Sequence, residues 1–158
     1  MYRLVMLIML ASQLIACAQQ KPIIRDARAF FFERTPGNVP VDPRTGEAIV
    51  RRDTIITVYV ETTATDIRWD TARHNGEVWL IDAWLVNASQ WEAGTTRANE
   101  KIILKPAAGH VLWRLNLKRP DAASAGGLGD IFLEATYEGR RITRKISSMV
   151  ELNGIPSV

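Results

Sequence analysis

The sequence predicts an all-β domain: an antiparallel β-sandwich of about eight or nine strands, immunoglobulin-like or transthyretin-like in arrangement. Three observations predict it. Apolar residues alternate with polar ones at period two in several segments, turn-forming pairs recur about every dozen residues, and no stretch beyond residue 26 carries a sustained 3.6-residue apolar stripe. At 158 residues the chain is long enough for one hydrophobic core and short for two.

The elements justify the class in turn. In "VPVDPRTGEAIV", residues 39–50, Asp42, Pro43 and Gly46 mark the tip of a short ribbon. "DTIITVYVET", residues 53–62, puts Thr54, Ile56, Val58 and Val60 on one face and Ile55, Thr57, Tyr59 and Glu61 on the other. "DIRWDTA" and "VWLIDAWLV" flank Asn75 and Gly76, the preferred pair where a tight hairpin needs two positive φ angles. "KPAAGH", with Pro106 and Gly109, turns between "KIIL" and "VLWRLNL" and joins them as a hairpin. In "GHVLWRLNLKR" the apolar set is Val111, Trp113, Leu115 and Leu117, opposed by His110, Arg114, Asn116 and Lys118. Glu138 and Gly139 turn the chain from "DIFLEATY" into a last strand, "RITRKISSMV", and "DAASAGGLGD", residues 121–130, reads as a mobile loop.

One strand departs from the alternation. In "VWLIDAWLV" both faces are apolar, so it is expected to be central and covered on both sides. Asp82 then needs an ion pair with an arginine from a neighbouring strand, such as Arg114, or a place at a partly exposed strand end, or else a role as a raised-pKa acid or a ligand.

The N-terminal segment belongs to another class. "MYRLVMLIMLASQLIAC" has a cationic start at Arg3 and an apolar run over residues 4–15 interrupted by Ser12 and Gln13, the anatomy of a secretory signal peptide. The run falls short of the roughly 20 apolar residues that a membrane-crossing helix needs. It ends at Cys17, the only cysteine of the chain. Leu14, Ile15, Ala16 and Cys17 resemble the lipobox of bacterial lipoproteins, which has an apolar residue three before the cysteine and a small residue directly before it. The resemblance implies a diacylglyceryl group on the Cys17 sulfur and cleavage before it. Sulfur suits that alkylation as the strongest side-chain nucleophile near neutral pH. The expected organisation is a signal peptide over residues 1–16, a lipidated cysteine and tether over 17–26, and one sandwich over 27–158. The partner implied first is a membrane, held by two or three acyl chains. Ala18 is not the aspartate that resembles a retention signal, which favours the periplasmic side of an outer membrane in a Gram-negative cell.

Twenty basic and 17 acidic residues, net charge +3, are scattered without the dense basic block of a nucleic-acid-binding tail, so no nucleic-acid partner is expected. His74 and His110 lack metal-ligand spacing, and no nucleophile elbow, phosphate loop, dinucleotide fingerprint or CxxC pair occurs. No catalytic residue, metal or cofactor is assigned. A hydrolase would need acids such as Asp66, Asp70 and Glu134 to converge. Asn87, Ala88 and Ser89 spell a glycosylation sequon by coincidence.

Two candidate binding features remain. Trp91, in the loop-like "NASQWEAGTT", offers an exposed indole for a glycan or a protein, whereas Trp79 and Trp113 are expected in the core. Arg140, Arg141, Arg144 and Lys145 gather in "GRRITRK" as a patch for anionic headgroups or an acidic partner, or as edge-strand protection. Together these point to a lipid-anchored envelope protein that binds an envelope protein partner through a sheet edge or loop tips. A glycan-binding module is the alternative.

Overall fold

The structure, a computed structural model, describes residues 23–34, 41–47, 53–119 and 129–153. Leu14, Ile15, Ala16 and Cys17 lie outside them, as does most of the 121–130 loop. The described residues form ten strands: β1 (Ile24–Arg34), β2 (Asp53–Thr62), β3 (Arg68–His74), β4 (Glu77–Val86), β5 (Trp91–Thr95), β6 (Lys101–Leu104), β7 (Val111–Lys118), β8 (Ile131–Tyr137), β9 (Arg140–Ile146) and β10 (Met149–Glu151). Eight of them make one sheet in the order β10-β1-β2-β7-β4-β3-β8-β9, and β5 and β6 make a second.

The large sheet is curled, and its connectivity shows why. β9 and β10 occupy opposite edges, yet only Ser147 and Ser148 separate them in sequence. Three Cα steps span at most about 11 Å, so the two edges must come together. β9 accordingly packs against β1. The expected single last strand is therefore two strands at opposite edges. The sheet is also mixed rather than antiparallel, because β10 runs parallel to β1, pairing Ala29 with Met149 and Phe31 with Glu151.

The inner face of the curl holds the main core. Rows across the register place Ala29, Val58, Leu115 and Ala83 side by side, and likewise Phe31, Ile56, Leu117 and Ile81. Val58, Val60, Leu115 and Ile131 are wholly buried. Each such aliphatic side chain contributes about 1.5–3 kcal/mol by leaving water. Trp113 and Trp79 lie in this core as the sequence predicts, Trp113 donating through Nε1 to Thr62 Oγ1 at 3.1 Å.

The outer face divides into two halves. Over β1, β2 and β7 it is covered by the β5–β6 sheet, with Phe30, Tyr59 and Leu112 packed against Leu104, Trp91, Ala93 and Ile102. That layer buries Thr57 and Tyr59, which the alternation had placed toward solvent. β6 and β7 are consequently not a hairpin. β6 pairs only with β5, and the turn at Gly109 carries the chain from the small sheet to the large one. The C-terminal segment fastens the layer: Leu152 N donates to Phe31 O at 2.8 Å and Asn153 N to Thr95 O at 2.7 Å. Gly94, at φ 147°, sits where a Cβ would meet Leu152 Cδ1 at 2.9 Å, so glycine lets that segment close without strain.

The turns follow their sequence signals. Asn75 (φ 51°) and Gly76 (φ 79°) close the β3–β4 hairpin with the two positive angles of a tight turn. Glu138 (φ 48°) and Gly139 (φ 72°) do the same between β8 and β9. At the ribbon tip Gly46 N donates to Asp42 O at 2.8 Å. β1 already pairs with β2 at Ile24, opposite Thr62.

Candidate functional site

β4 is not covered on both sides. Trp79, Ile81, Ala83 and Leu85 face the core, while Val78, Leu80, Asp82 and Trp84 face outward beyond the reach of the β5–β6 layer. Asp82 is half exposed and pairs with Lys118 Nζ at 2.7 Å on the same outer face, rather than with Arg114 in the core. The double-apolar pattern of this strand thus reflects an exposed apolar surface.

Register extends that surface across the neighbouring strands. Val78 opposes Arg73, which opposes Phe132, which opposes Lys145; in the next row Leu80 opposes Thr71, which opposes Glu134, which opposes Thr143. Leu80 is 57 % exposed, Val78 48 %, Phe132 43 % and Trp84 36 %. Side chains of this type and size are normally turned inward, and four on one sheet face make a patch. The cations around it keep their stems on the apolar surface: the Arg114 guanidinium lies 5.2 Å from the Trp84 ring centre and Lys145 Nζ 5.6 Å from that of Phe132.

Carboxylates hold the frame in register. Glu134, at the centre of the β8 outer face, accepts from Arg141 at 2.5 Å, from Arg73 at 3.3 Å and from Thr71 Oγ1 at 3.3 Å. The Arg141 hydrogen bond in particular holds the Glu134 carboxyl below its ordinary range, against an opposing contribution from burial. Asp70, at the β3 bulge, accepts from Thr136 Oγ1 at 2.7 Å and Arg68 Nε at 2.8 Å, and its carboxyl is likewise lowered, chiefly by the Thr136 bond. Lys145 also reaches Asp130 at 2.6 Å. A glycosidase-type acid needs a raised pKa, and both of these carboxyls move the other way.

The basic hairpin does not act as one patch. Arg141 and Lys145 join the outer frame and Arg140 is exposed at the turn, but Arg144 alternates to the inner face between Ile142 and Ile146. Its Nε is buried without a hydrogen-bond partner among the described residues. Trp91 is not a loop residue either. It opens β5, is half buried against the second core, and its Nε1 donates to Tyr59 Oη at 2.9 Å. Nothing in its flanks separates a half-covered strand tryptophan from a loop one.

The histidines have structural neighbours. His74 is buried, its Nδ1 facing Asp130 O and its Nε2 the Asn75 side chain, both at 3.3 Å, and its ring meets Trp79 edge to face. His110 Nδ1 donates to Glu61. Among the described residues no group of three His, Cys, Asp or Glu could hold a metal ion, and no helix is long and apolar enough to cross a membrane. Comparison with family models, curated proteins and solved structures found no match.

Proposed function

We propose that the chain is a lipid-anchored cell-envelope protein, held through a diacylglyceryl thioether on Cys17, whose β-domain docks a protein partner and performs no catalysis. In a Gram-negative cell its place is the periplasmic side of the outer membrane. The domain acts as a two-layered sandwich, with β5–β6 as the partial second layer. An immunoglobulin-like or transthyretin-like assignment is the finer form of that proposal. The observation that carries the docking reading is the uncovered outer face, where Val78, Leu80, Trp84 and Phe132 are exposed together. The other half of the same face is apolar too, and there the chain covers it with its own layer. A partner would supply the missing cover.

The partner's chemistry follows from the frame. The cations Arg68, Arg73, Arg114, Lys118, Arg141 and Lys145 outnumber the carboxylates Asp70, Asp82, Asp130 and Glu134 on or beside this face. An apolar segment flanked by carboxylates is complementary to it. The glycan reading rested on an exposed Trp91 and is not carried forward, since that indole is packed and hydrogen-bonded within the domain.

Photo-crosslinking in living cells tests the reading, with a photoreactive residue at Leu80 or Phe132 and a control at Ala98 on the β5–β6 turn. The proposal expects one adduct of the same mass from both face positions and none from Ala98, mapped by mass spectrometry to an apolar segment flanked by Asp or Glu. No adduct, or equal labelling from Ala98, would contradict it.

A further inference from the structure

A second feature lies at the other side of the small layer. A cavity of about 220 Å³ opens between the outer face of β1 and β2 and the end of β6, lined by Asp26, Arg28, Tyr59, Glu61, Lys105 and Leu112 among others. Its floor is apolar at Leu104 and Leu112, both buried. Its polar groups are held in place. Glu61 Oε1 accepts from Ala107 N at 3.1 Å and from His110 Nδ1, which ties the β6–β7 connection over the cavity. Tyr59, 5 % exposed, has its oxygen fixed by Trp91, and its own hydroxyl proton has no acceptor among the described residues.

The charges sort into those already balanced and those still open. Arg28 and Asp26 pair with each other at 2.9 Å. What remains is one open group of each kind: the second oxygen of Glu61, whose first oxygen faces His110, and the ammonium of Lys105 have no partner among the described residues. Opposite open charges on an apolar floor, with one free hydroxyl donor, match a small zwitterion. No flat aromatic platform accompanies them, because the Tyr59 ring is packed edge to face on Phe30, so a sugar finds no stacking surface.

We infer that this cleft binds a phosphoethanolamine-type zwitterion, its ammonium on Glu61 and its phosphate on Lys105 and the Tyr59 hydroxyl. An ammonium donates to a carboxylate and a phosphate accepts from cations and hydroxyls, so every open group is satisfied. Two sources carry this group: a free metabolite of that class and the headgroup of a membrane phospholipid. The cleft's place favours the lipid, a step that rests on the Cys17 anchor. Asp26 and Glu61 are paired at the end of the sheet where β1 begins. The residues between Cys17 and Ile24 span only about 20 Å when extended.

Calorimetry on the full mature chain in a non-ionic maltoside detergent tests it. Free phosphoethanolamine should give saturable binding, weakened about tenfold or more by Lys105→Glu and by Glu61→Gln. Inorganic phosphate and ethanolamine, each with charge of one sign only, should bind at least about tenfold more weakly than the zwitterion. Lys105 is exposed, so K105E keeps the test informative even where Glu61→Gln loosens the β6–β7 connection. Dihexanoyl phosphatidylethanolamine separates the sources: tighter binding than the free headgroup assigns the lipid, and equal binding assigns the free zwitterion. Absence of saturable binding, binding unchanged in K105E, or equal binding of the choline and glycerol headgroup lipids would overturn the inference. The free-headgroup arm is independent of lipidation, so a bare Cys17 would remove the anchor while leaving this result to stand or fall alone.

Discussion

The indole nitrogen of Trp91 donates to the hydroxyl of Tyr59 at 2.9 Å, and this bond links the small β5–β6 layer to the centre of the large sheet. Tyr59 is buried and Trp91 half buried, and each loses its partner when the other is changed. Trp91→Phe and Tyr59→Phe should each destabilise by about 1–2 kcal/mol in urea unfolding. The double variant should cost less than the sum by about 1 kcal/mol. Strict additivity would show that the bond contributes nothing.

Gly94 and Leu152 give a second test of the same layer. Gly94→Ala places a Cβ 2.9 Å from Leu152 Cδ1 at φ 147°, so two penalties combine. A loss of about 1–3 kcal/mol is expected. Leu152→Ala in that background should relieve the contact but not the backbone strain, and thermal unfolding of the pair should show partial recovery relative to the sum of the two single effects.

Arg144 is the opposite case, a charged group on the inner face whose Nε has no partner among the described residues. Withdrawing part of a guanidinium from water is offset only by an ion pair or hydrogen bonds, and the half-buried aliphatic stem can be replaced by an apolar side chain of similar length. Arg144→Met should therefore leave stability unchanged or raise it by about 1 kcal/mol. A loss above about 2 kcal/mol would show that the guanidinium is engaged.

Acid should loosen the outer frame in a defined window. The Arg141 hydrogen bond lowers the Glu134 carboxyl and the Thr136 bond lowers that of Asp70, so the folded state releases these protons more readily than the unfolded chain. Their stabilisation is complete above the unfolded carboxylate range, about pH 4–5, and is lost as pH falls through the lower folded values. The urea midpoint should fall along this acid limb. Glu134→Gln should flatten it while changing little at pH 8 beyond a constant offset, and an unaltered acid slope would contradict the role given to Glu134.

The outer-face residues should behave differently from all of these. Leu80→Lys and Phe132→Glu replace exposed side chains, so unfolding midpoints should move by no more than about 0.5 kcal/mol. Capture of the partner identified by crosslinking should nonetheless fall about tenfold or more. A stability loss matching the binding loss would reduce the effect to misfolding.

Much of the fold was legible because local signals carried it. Asn75-Gly76 and Glu138-Gly139 name their turns through backbone chemistry, and the alternation over 53–62 and 111–118 names two inner faces. What escaped was decided by contacts distant in sequence. Nothing near Thr57 and Tyr59 announces the layer that buries them, and nothing near Ser147 and Ser148 announces that the chain crosses there between the two edges of a curled sheet. The both-sided apolar pattern of β4 has two physical causes, double burial or an exposed apolar face. Only the register with Phe132 and Arg73 separates them. The cleft joins Glu61 on β2 to Lys105 just beyond β6, far apart in sequence, so no spacing rule could find it.

The anchor is the premise of the cellular reading, and intact mass spectrometry of the mature protein from a bacterial membrane tests it most directly. The predicted result is a chain whose first residue is Cys17, carrying a thioether-linked diacylglyceryl group with or without a third acyl chain on its amine. A bare Cys17 thiol, or an N-terminus at any other residue, would contradict it.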